Sequence, residues 1–249
     1  MKKILLITGG GRGIGAATAR LAVEAGYSVA INYLSDATAA NALILELKNT
    51  GAEIIAVQGD VSKLEDIRRI FDETENAFGR ITALVNNAGM TGLSSRLDEA
   101  DPQTILDTIA LNVNGTILAS REAVKCMSPR HGGHGGVIVN VSSGASTLGS
   151  PGEYTWYAAS KGAVDSFTIG LGRELAEENI RVVAVAPGLT ETELHARSTG
   201  EPARVQRMTP MIPMKRAGTA EEVAQTIMFA LSDAASYITA TTIRVSGGR

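Results

Sequence analysis

A tyrosine and a lysine four residues apart have the side chains and the spacing needed for proton transfer. The stretch YTWYAASKGAV, residues 154–164, places Tyr157 four positions before Lys161. In a helix, positions i and i+4 share one face, so the phenol and the ammonium would point into the same space. The pKa of a free tyrosine, about 10, is too high for acid–base work near neutrality unless a cation stabilises the phenolate. Lys161 is therefore predicted to lower the pKa of Tyr157, whereas Tyr154 has Ala158 at i+4 and is expected to lie outside this constellation.

A second set of candidate residues lies in a glycine-rich loop near the N-terminus. The stretch LLITGGGRGIGAATARL passes from an apolar strand pattern into a helical pattern. Glycines at such a junction permit a tight turn and close backbone approach, and the first N–H groups of the helix can bind a diphosphate. Two spacings fit: GxGxxA at Gly11, Gly13 and Ala16, and GxxxGxG at Gly9, Gly13 and Gly15. The loop predicts a dinucleotide site.

The end of the second predicted strand decides which dinucleotide is expected. An acid at that position binds the 2′-hydroxyl of adenosine and repels a 2′-phosphate, but VAINYLSD has Asn32 and Tyr33 there. Asp36 comes later, where it is expected to cap the next helix. Arg12 in the glycine loop supplies a cation for a phosphate. These residues favour NADP(H) over NAD(H).

The elements that must position these residues alternate between short apolar runs and amphipathic segments. KILLIT, YSVAIN, EIIAV, ITALVN, GVIVNVS, IRVVAVA and TTIRV read as seven strands. Their near-continuous Val, Ile and Leu content is typical of parallel strands that are covered on both faces. The helical patterns between them, such as IGAATARLAVEAG, end at glycine. The predicted fold is α/β: a single domain over residues 1–249 with a doubly wound, seven-stranded parallel sheet.

Composition excludes several classes of partner and of site. The 249-residue chain has a net charge of −3, which predicts neither a nucleic-acid partner nor an anionic membrane partner. No apolar run reaches the ~20 residues of a membrane helix. The single cysteine, Cys126, suits a reducing cytoplasm. His131 and His134 lack a cysteine or carboxylate at ligand spacing, so no metal site is expected.

One long break in the alternation follows the sixth predicted strand. Residues of about 189–216 are polar at first and then rich in methionine and proline, and an insertion of this kind is often a lid over a substrate. Met208, Met211 and Met214 are candidates either to line a substrate cavity or simply to pack the insertion.

Several motifs in the expected order resemble the short-chain dehydrogenase/reductase family. The loop TGGGRGIG, NNAG at 86–89, LNVNG, VNVSSGAS, the YxxxK pair and PGLTET at 187–192 carry the resemblance, which spans residues 3–248. Bacterial 3-oxoacyl-carrier-protein reductases and sugar or alcohol dehydrogenases are the most similar branch. The resemblance implies a Rossmann-like fold and commonly a homotetramer.

The resemblance also implies roles for individual residues. The catalytic set would be Asn112, Ser143, Tyr157 and Lys161, with Asn112 holding a water and Ser143 binding the substrate oxygen. The cofactor would contact Gly9, Gly11, Arg12, Gly13, Ile14, Gly15, Asn32, Tyr33, Asp60, Val61, Asn87, Ala88, Gly89, Tyr157, Lys161, Pro187, Gly188, Thr190 and Thr192. Ser142 remains an alternative to Ser143, Asp60 could instead cap a helix, and Asn86 could only anchor strands.

The function predicted from these residues is hydride transfer between NADP(H) and a carbonyl or secondary alcohol of a small molecule. An NAD-dependent sugar or alcohol dehydrogenase is the alternative within enzymes. A non-catalytic dinucleotide-binding regulator is the alternative outside them, although all four residues of the tetrad are present. Cations at Arg121, Lys125 and Arg130 leave open a patch for an acidic carrier protein.

Overall fold

Seven parallel strands form one continuous sheet in the computed structural model, which describes residues 2–192 and 204–249. The strands are β1 Ile4–Ile7, β2 Ser28–Tyr33, β3 Ile54–Gln58, β4 Ala83–Asn86, β5 Gly136–Val141, β6 Ile180–Pro187 and β7 Thr241–Val245. All seven coincide with the segments that the apolar runs predict, except that β2, β3 and β6 each extend one residue further, to Tyr33, Gln58 and Pro187. The seven-stranded parallel sheet and the α/β class are therefore confirmed.

The order of the strands places a crevice at the centre of the sheet. The order is β3-β2-β1-β4-β5-β6-β7, so the winding direction reverses between β1 and β4. The loops that follow β1 and β4 then leave on opposite faces of the sheet. Ligands of open α/β sheets bind in the crevice outside the carboxyl ends of the strands at such a switch point.

Helices cover both faces of the sheet. They are α1 Gly13–Glu24, α2 Ala37–Lys48, α3 Leu64–Phe78, α4 Pro102–Ile109, α5 Thr116–Met127, α6 Ala145–Leu148, α7 Thr155–Glu174, α8 Arg204–Met208 and α9 Ala220–Leu231. A π-helical turn, Ala110–Gly115, joins α4 to α5. Short 3₁₀ turns lie at Leu97–Glu99, Pro129–His131, Ala176–Glu178, Thr209–Met211 and Asp233–Ala235.

Alternate residues of each central strand enter two separate cores. In β1, Leu5 and Ile7 pack with residues of α1 and α9, whereas Ile4 and Leu6 pack with residues of α3 and α5. Leu5, Leu6 and Ile7 are completely buried. An apolar side chain on both faces of a strand is the physical reason for its unbroken hydrophobic run. The two cores hold rigid the strand ends that carry the candidate residues.

Two sequence predictions concern features beyond the sheet. Within residues 2–192 and 204–249, no helix has the length and apolarity to cross a membrane, and no cluster of His, Cys, Asp and Glu has the makings of a metal site. The segment predicted as a lid, 189–216, is described only in part, because residues 193–203 lie outside the described residues.

Candidate active site

A cavity of about 1510 Å³ opens at the carboxyl ends of the central strands. Its wall combines the glycine loop after β1, the ends of β2, β4, β5 and β6, the start of α7, and α8. Residues that are far apart in sequence therefore meet around one space, at the switch point of the sheet. This is the location that the fold favours for a dinucleotide.

The glycine loop is packed too closely for a side chain at Gly9 and Gly15. A Cβ atom added to Gly15 would lie 2.5 Å from the Gly9 carbonyl oxygen, and one added to Gly9 would lie 3.0 Å from Ala88 Cα. Gly9 and Gly13 also have φ values of 61° and 53°, which L-residues with side chains rarely adopt. Helix α1 begins at Gly13 with no acidic residue in its first turn. Its first N–H groups can thus donate hydrogen bonds to a diphosphate, with no nearby carboxylate in that turn to repel it.

Asn32 at the end of β2 is a support for this loop. Its Oδ1 accepts a hydrogen bond from Gly9 N at 3.3 Å, and its Nδ2 donates to the carbonyls of Val57 and Gly59. Asn32 is 2% exposed, so its amide is committed to the protein. Among the residues that end β2, the half-buried Tyr33 is the one whose side chain can meet an adenosine in the cavity.

Arg12 and Asp36 face each other in the part of the cavity wall formed by the glycine loop and the segment after β2. Arg12 Nη1 lies 3.6 Å from Asp36 Oδ2, and the two side chains are 47% and 40% exposed. Asp36 also caps α2 by accepting a hydrogen bond from Ala39 N at 3.1 Å, as its sequence position predicts. Arg12 can thus contact an anion in the cavity, but the carboxylate of Asp36 partly neutralises its charge.

Asp60 and Asn86, each of which has an alternative structural role, lie in different environments. Asp60 Oδ1 accepts hydrogen bonds from the backbone N and the hydroxyl of Ser62, while Asp60 and Val61 both line the cavity. Asn86 is buried and donates from Nδ2 to Ser120 Oγ and Asn140 Oδ1, each at 2.9 Å. Asn86 anchors the interior of the sheet, and Asp60 holds its own turn at the cavity wall.

Tyr157 and Lys161 lie on one face of α7, as the i, i+4 spacing predicts. Lys161 Nζ is 5.7 Å from the centre of the Tyr157 ring and donates a hydrogen bond of 2.8 Å to the Val141 carbonyl at the end of β5. Both residues line the cavity and are buried, at 9% and 5% exposed. A Cβ added to Gly89 would lie 3.2 Å from Asn112 Oδ1 and 3.5 Å from Lys161 Nζ, so a side chain at this position would crowd the Asn112 amide.

The acid–base properties of this pair differ from the sequence prediction. Burial raises the pKa of Tyr157, opposed by a hydrogen bond with Ser143 and by the charge of Arg204. Burial also lowers the pKa of Lys161, from 10.5 to about 8. The predicted net lowering of the Tyr157 pKa is thus wrong for the protein alone, because burial disfavours the phenolate and outweighs the opposing effects.

The two adjacent serines after β5 have distinct environments. The Ser143 hydroxyl is close enough to the Tyr157 phenol to oppose the rise of its pKa, and it accepts a hydrogen bond from Ala145 N at 3.1 Å. Ser142 is 2% exposed and its hydroxyl donates to the Lys161 carbonyl at 3.4 Å. Ser143 is half-buried beside the phenol. The geometry therefore favours Ser143 over Ser142 as the group that reaches a substrate oxygen.

Asn112 and Gly15 lie behind the cavity wall. Asn112 is completely buried in the π-helical turn. Its side chain accepts from Met90 N at 2.9 Å and donates to the Met90 carbonyl and to Ser160 Oγ. Gly15 fills the close contact described above. The remaining residues that the sequence predicts for catalysis and for the cofactor all line the cavity.

Sequence reasoning missed a polar cluster beside Tyr157. Tyr154, expected outside the constellation, lines the cavity, and its ring meets that of Tyr157 edge to face with 5.4 Å between centroids. Arg204 of α8 hydrogen-bonds to the Tyr154 hydroxyl and lies 2.7 Å from Glu153 Oε2. The i, i+3 spacing of the two tyrosines was a usable signal for Tyr154. Arg204 lies about fifty residues away in an aperiodic segment, which offered none.

Of the three methionines considered for the cavity, Met208 lies in its wall. Met211 and Met214 are 53% and 60% exposed and are not among the residues of that wall. Within the described part of the insertion, Leu189, Thr190 and Thr192 line the cavity, and α8 adds Arg204, Arg207 and Met208.

The chain is similar to oxidoreductases over almost its whole length. Residues 9–249 match the model of a family described as Enoyl-(Acyl carrier protein) reductase. An uncharacterized oxidoreductase of Escherichia coli K12, YgfF, is 47% identical over 99% of this chain and 99% of its own length. A 3-oxoacyl-[acyl-carrier-protein] reductase of Synechocystis is 38% identical over 99% of this chain and 96% of its own length.

A solved structure has nearly the same fold. The crystal structure of a short chain dehydrogenase from Burkholderia cenocepacia, in complex with NADP, matches with a TM-score of 0.90 and 34% identity. The match covers 99% of this chain and 97% of that one.

Proposed function

The chain belongs to the short-chain dehydrogenase/reductase family, enzymes that act on CH–OH and C=O groups, and from this premise we propose that it reduces a small carbonyl compound with NADPH. The observation that carries the proposal is the meeting of the buried Tyr157 and Lys161 with the half-buried Ser143 at the switch-point cavity. An acid, its hydrogen-bond partner and a cation converge there on one small space. The proposed catalytic tetrad is Asn112, Ser143, Tyr157 and Lys161.

The roles of these residues follow from their surroundings. A bound nicotinamide supplies the hydride. Tyr157 donates its phenolic proton to the carbonyl oxygen, and the raised pKa of Tyr157 keeps that proton in place until charge develops. Ser143 donates a hydrogen bond to the same oxygen and orients it. Lys161, held by the Val141 carbonyl, binds ribose hydroxyls and favours the phenolate that remains after transfer.

Asn112 acts through position in this scheme. Its amide ties Met90, after β4, to Ser160 of α7, so it fixes the loop opposite Lys161. The π-helical turn leaves backbone groups that do not follow the ordinary helical pattern, and such turns are frequent at functional sites. The proposed role is to hold a water that joins Lys161 to solvent.

NADPH is proposed over NADH because of the residues around the adenosine end. The amide of Asn32 is committed to the glycine loop, so no acid or free amide at the end of β2 selects the 2′-hydroxyl. Arg12 lines the cavity and is about half exposed. The crystal structure with NADP, at 34% identity, supports the same choice. Asp36 favours the NAD alternative, since its carboxylate partly neutralises Arg12.

The wider organisation is proposed from the family and the surface. We propose one domain with a lid at about 189–216, of which α8 forms part of the cavity wall. Exposed apolar residues, Leu106, Ile117 and Ile169, occur on α4, α5 and α7, which suits burial against further copies. We propose a homotetramer in the cytoplasm, where the free thiol of Cys126 stays reduced.

The three basic side chains that could form a patch for a carrier protein are ion-paired with neighbouring carboxylates. Arg121 and Lys125 both pair with Glu122, and Arg130 pairs with Glu178 at 2.8 Å. This internal pairing weakens the case for an acidic carrier protein. A free small molecule is the substrate that we propose.

A cofactor and substrate panel tests the proposed function. Ketones, aldehydes, sugars, 3-oxoacyl thioesters and enoyl thioesters are each offered with NADPH and then with NADH. Oxidation of NADPH by a carbonyl compound is the expected result. Turnover with NADH alone supports the alternative dehydrogenase, reduction of enoyl thioesters alone contradicts the carbonyl assignment, and binding without turnover supports the regulator.

A further inference from the structure

Tyr157 has a direct aromatic neighbour whose own position depends on a distant arginine. The ring of Tyr154 meets the ring of Tyr157 at an interplanar angle of 89°, with 5.4 Å between centroids. Both rings are buried, at 6% and 9% exposed. A shift of the Tyr154 ring would leave the Tyr157 ring without its wall. The orientation of the proton donor is thus linked to Tyr154.

Arg204 holds Tyr154 from the other side. Its guanidinium hydrogen-bonds to the Tyr154 hydroxyl, lies 5.4 Å from the centre of that ring, and forms an ion pair of 2.7 Å with Glu153. Arg204 is 4% exposed. A buried guanidinium is costly unless several groups bind it, and here the two residues immediately before α7 do so.

We propose that Arg204 is a positioning residue for Tyr157, which clamps Glu153 and Tyr154 and so presents the phenol of Tyr157 to Ser143 and the substrate. The proposal rests on the proposed function of Tyr157 as proton donor. The proposal gives α8 a second role besides lining the cavity. Through Arg204, this helix contacts Glu153 and Tyr154 and so determines the orientation of the proton donor, Tyr157. The charge of Arg204 acts in the same direction, since it favours the phenolate of Tyr157 against the effect of burial.

Alcohol oxidation across pH separates this role from a merely structural one. Oxidation requires the phenolate, so its rate rises with pH as Tyr157 loses its proton. Arg204→Met removes the charge and the clamp, and we expect the rising limb of kcat/KM to move to higher pH by about half a unit or more. Arg204→Lys keeps the charge and should recover part of the shift. Tyr154→Phe loses only the hydroxyl that Arg204 binds and should give a smaller shift in the same direction.

Arg207→Met is the matched control for the pH limb. Arg207 lies on the same helix and carries the same charge, but it is 53% exposed and lies 3.7 Å from Glu153. In this variant the rising limb of kcat/KM should keep its wild-type pH position, even if KM changes. An Arg204→Met enzyme that binds NADPH normally and keeps the wild-type limb would overturn the proposal. An equal shift in Arg207→Met would also overturn the proposal. The cause would then be the loss of any positive charge near the cavity and not the specific contacts of Arg204.

A second readout does not depend on turnover. The phenolate absorbance of Tyr157 is obtained by subtracting the pH titration of Tyr157→Phe from that of the parent protein, with and without Arg204. The difference titration should move to higher pH when Arg204 is replaced by methionine, and an unmoved titration contradicts the proposal. A wild-type protein without turnover would refute the proposed function, while this titration still tests Arg204.

Discussion

Replacing Arg12 should abolish most of the preference for NADPH. Arg12→Gln keeps a polar side chain but removes the cation that faces the cavity. A hydrogen bond to a charged group contributes about 1.5–3 kcal/mol. Arg12 is 47% exposed and lies 3.6 Å from Asp36, so the lower end of that range applies. Since ~1.4 kcal/mol is a factor of ten, NADPH should bind about tenfold more weakly, and NADH should be unaffected.

The assay is titration of each dinucleotide by fluorescence, with dissociation constants for wild type and variants. Arg20→Gln is the control, because Arg20 lies on α1, is 43% exposed and is also ion-paired, at 2.7 Å with Glu46, but is not in the cavity wall. The effect of Arg12 should shrink as salt increases. An unchanged NADPH/NADH ratio in Arg12→Gln, or an equal change in Arg20→Gln, would refute the reasoning.

Four further outcomes are expected. Asp36→Asn keeps the cap on Ala39 N but removes the competing carboxylate, so NADPH affinity should rise a few-fold by titration. Gly15→Ala should lower the free energy of unfolding by about 1–3 kcal/mol, and with it the Tm, because the new Cβ would lie 2.5 Å from a carbonyl oxygen. Gly11→Ala is the control: its new Cβ would have its nearest atom at 3.6 Å, so the Tm of the cofactor-free protein should be nearly unchanged. Burial lowers the pKa of Lys161 from 10.5 to about 8, so the buried ammonium destabilises the fold fully below about pH 8 and progressively less towards pH 10.5. Lys161→Met should therefore raise the Tm of the cofactor-free protein at pH 7 and raise it less at pH 10. The same variant should lose turnover. Light scattering at micromolar concentration should give about four times the chain mass of 25.9 kDa, and a monomeric mass would contradict the tetramer.

The sheet and the position of the site could be predicted because local pattern determines them. Strands such as β1 are buried on both faces, so they appear as unbroken apolar runs, and their carboxyl ends meet at one edge. The spacing of Tyr157 and Lys161 fixes a shared helical face in the same way. Asp36 was likewise recognisable as a cap from its place before α2.

The features that sequence reasoning missed depend on contacts between distant segments. Nothing in the residues around Arg204 indicates that its guanidinium reaches Tyr154. The direction of the Tyr157 pKa was also misjudged, because spacing reveals a neighbouring cation but not the burial that outweighs it. The pairing of Arg12 with Asp36 has the same origin, since a cap was predicted but not its second partner.

Loss of the phenolic proton of Tyr157 tests the central claim most directly. Tyr157→Phe keeps the ring that packs on Tyr154 and removes the hydroxyl alone. Single-turnover oxidation of NADPH by the best carbonyl substrate should fall by about 10²–10⁴-fold, with NADPH affinity nearly unchanged. Tyr27→Phe, which changes a tyrosine that is not in the cavity wall, should keep the wild-type rate. A Tyr157→Phe enzyme that retained the wild-type rate of carbonyl reduction would contradict the account.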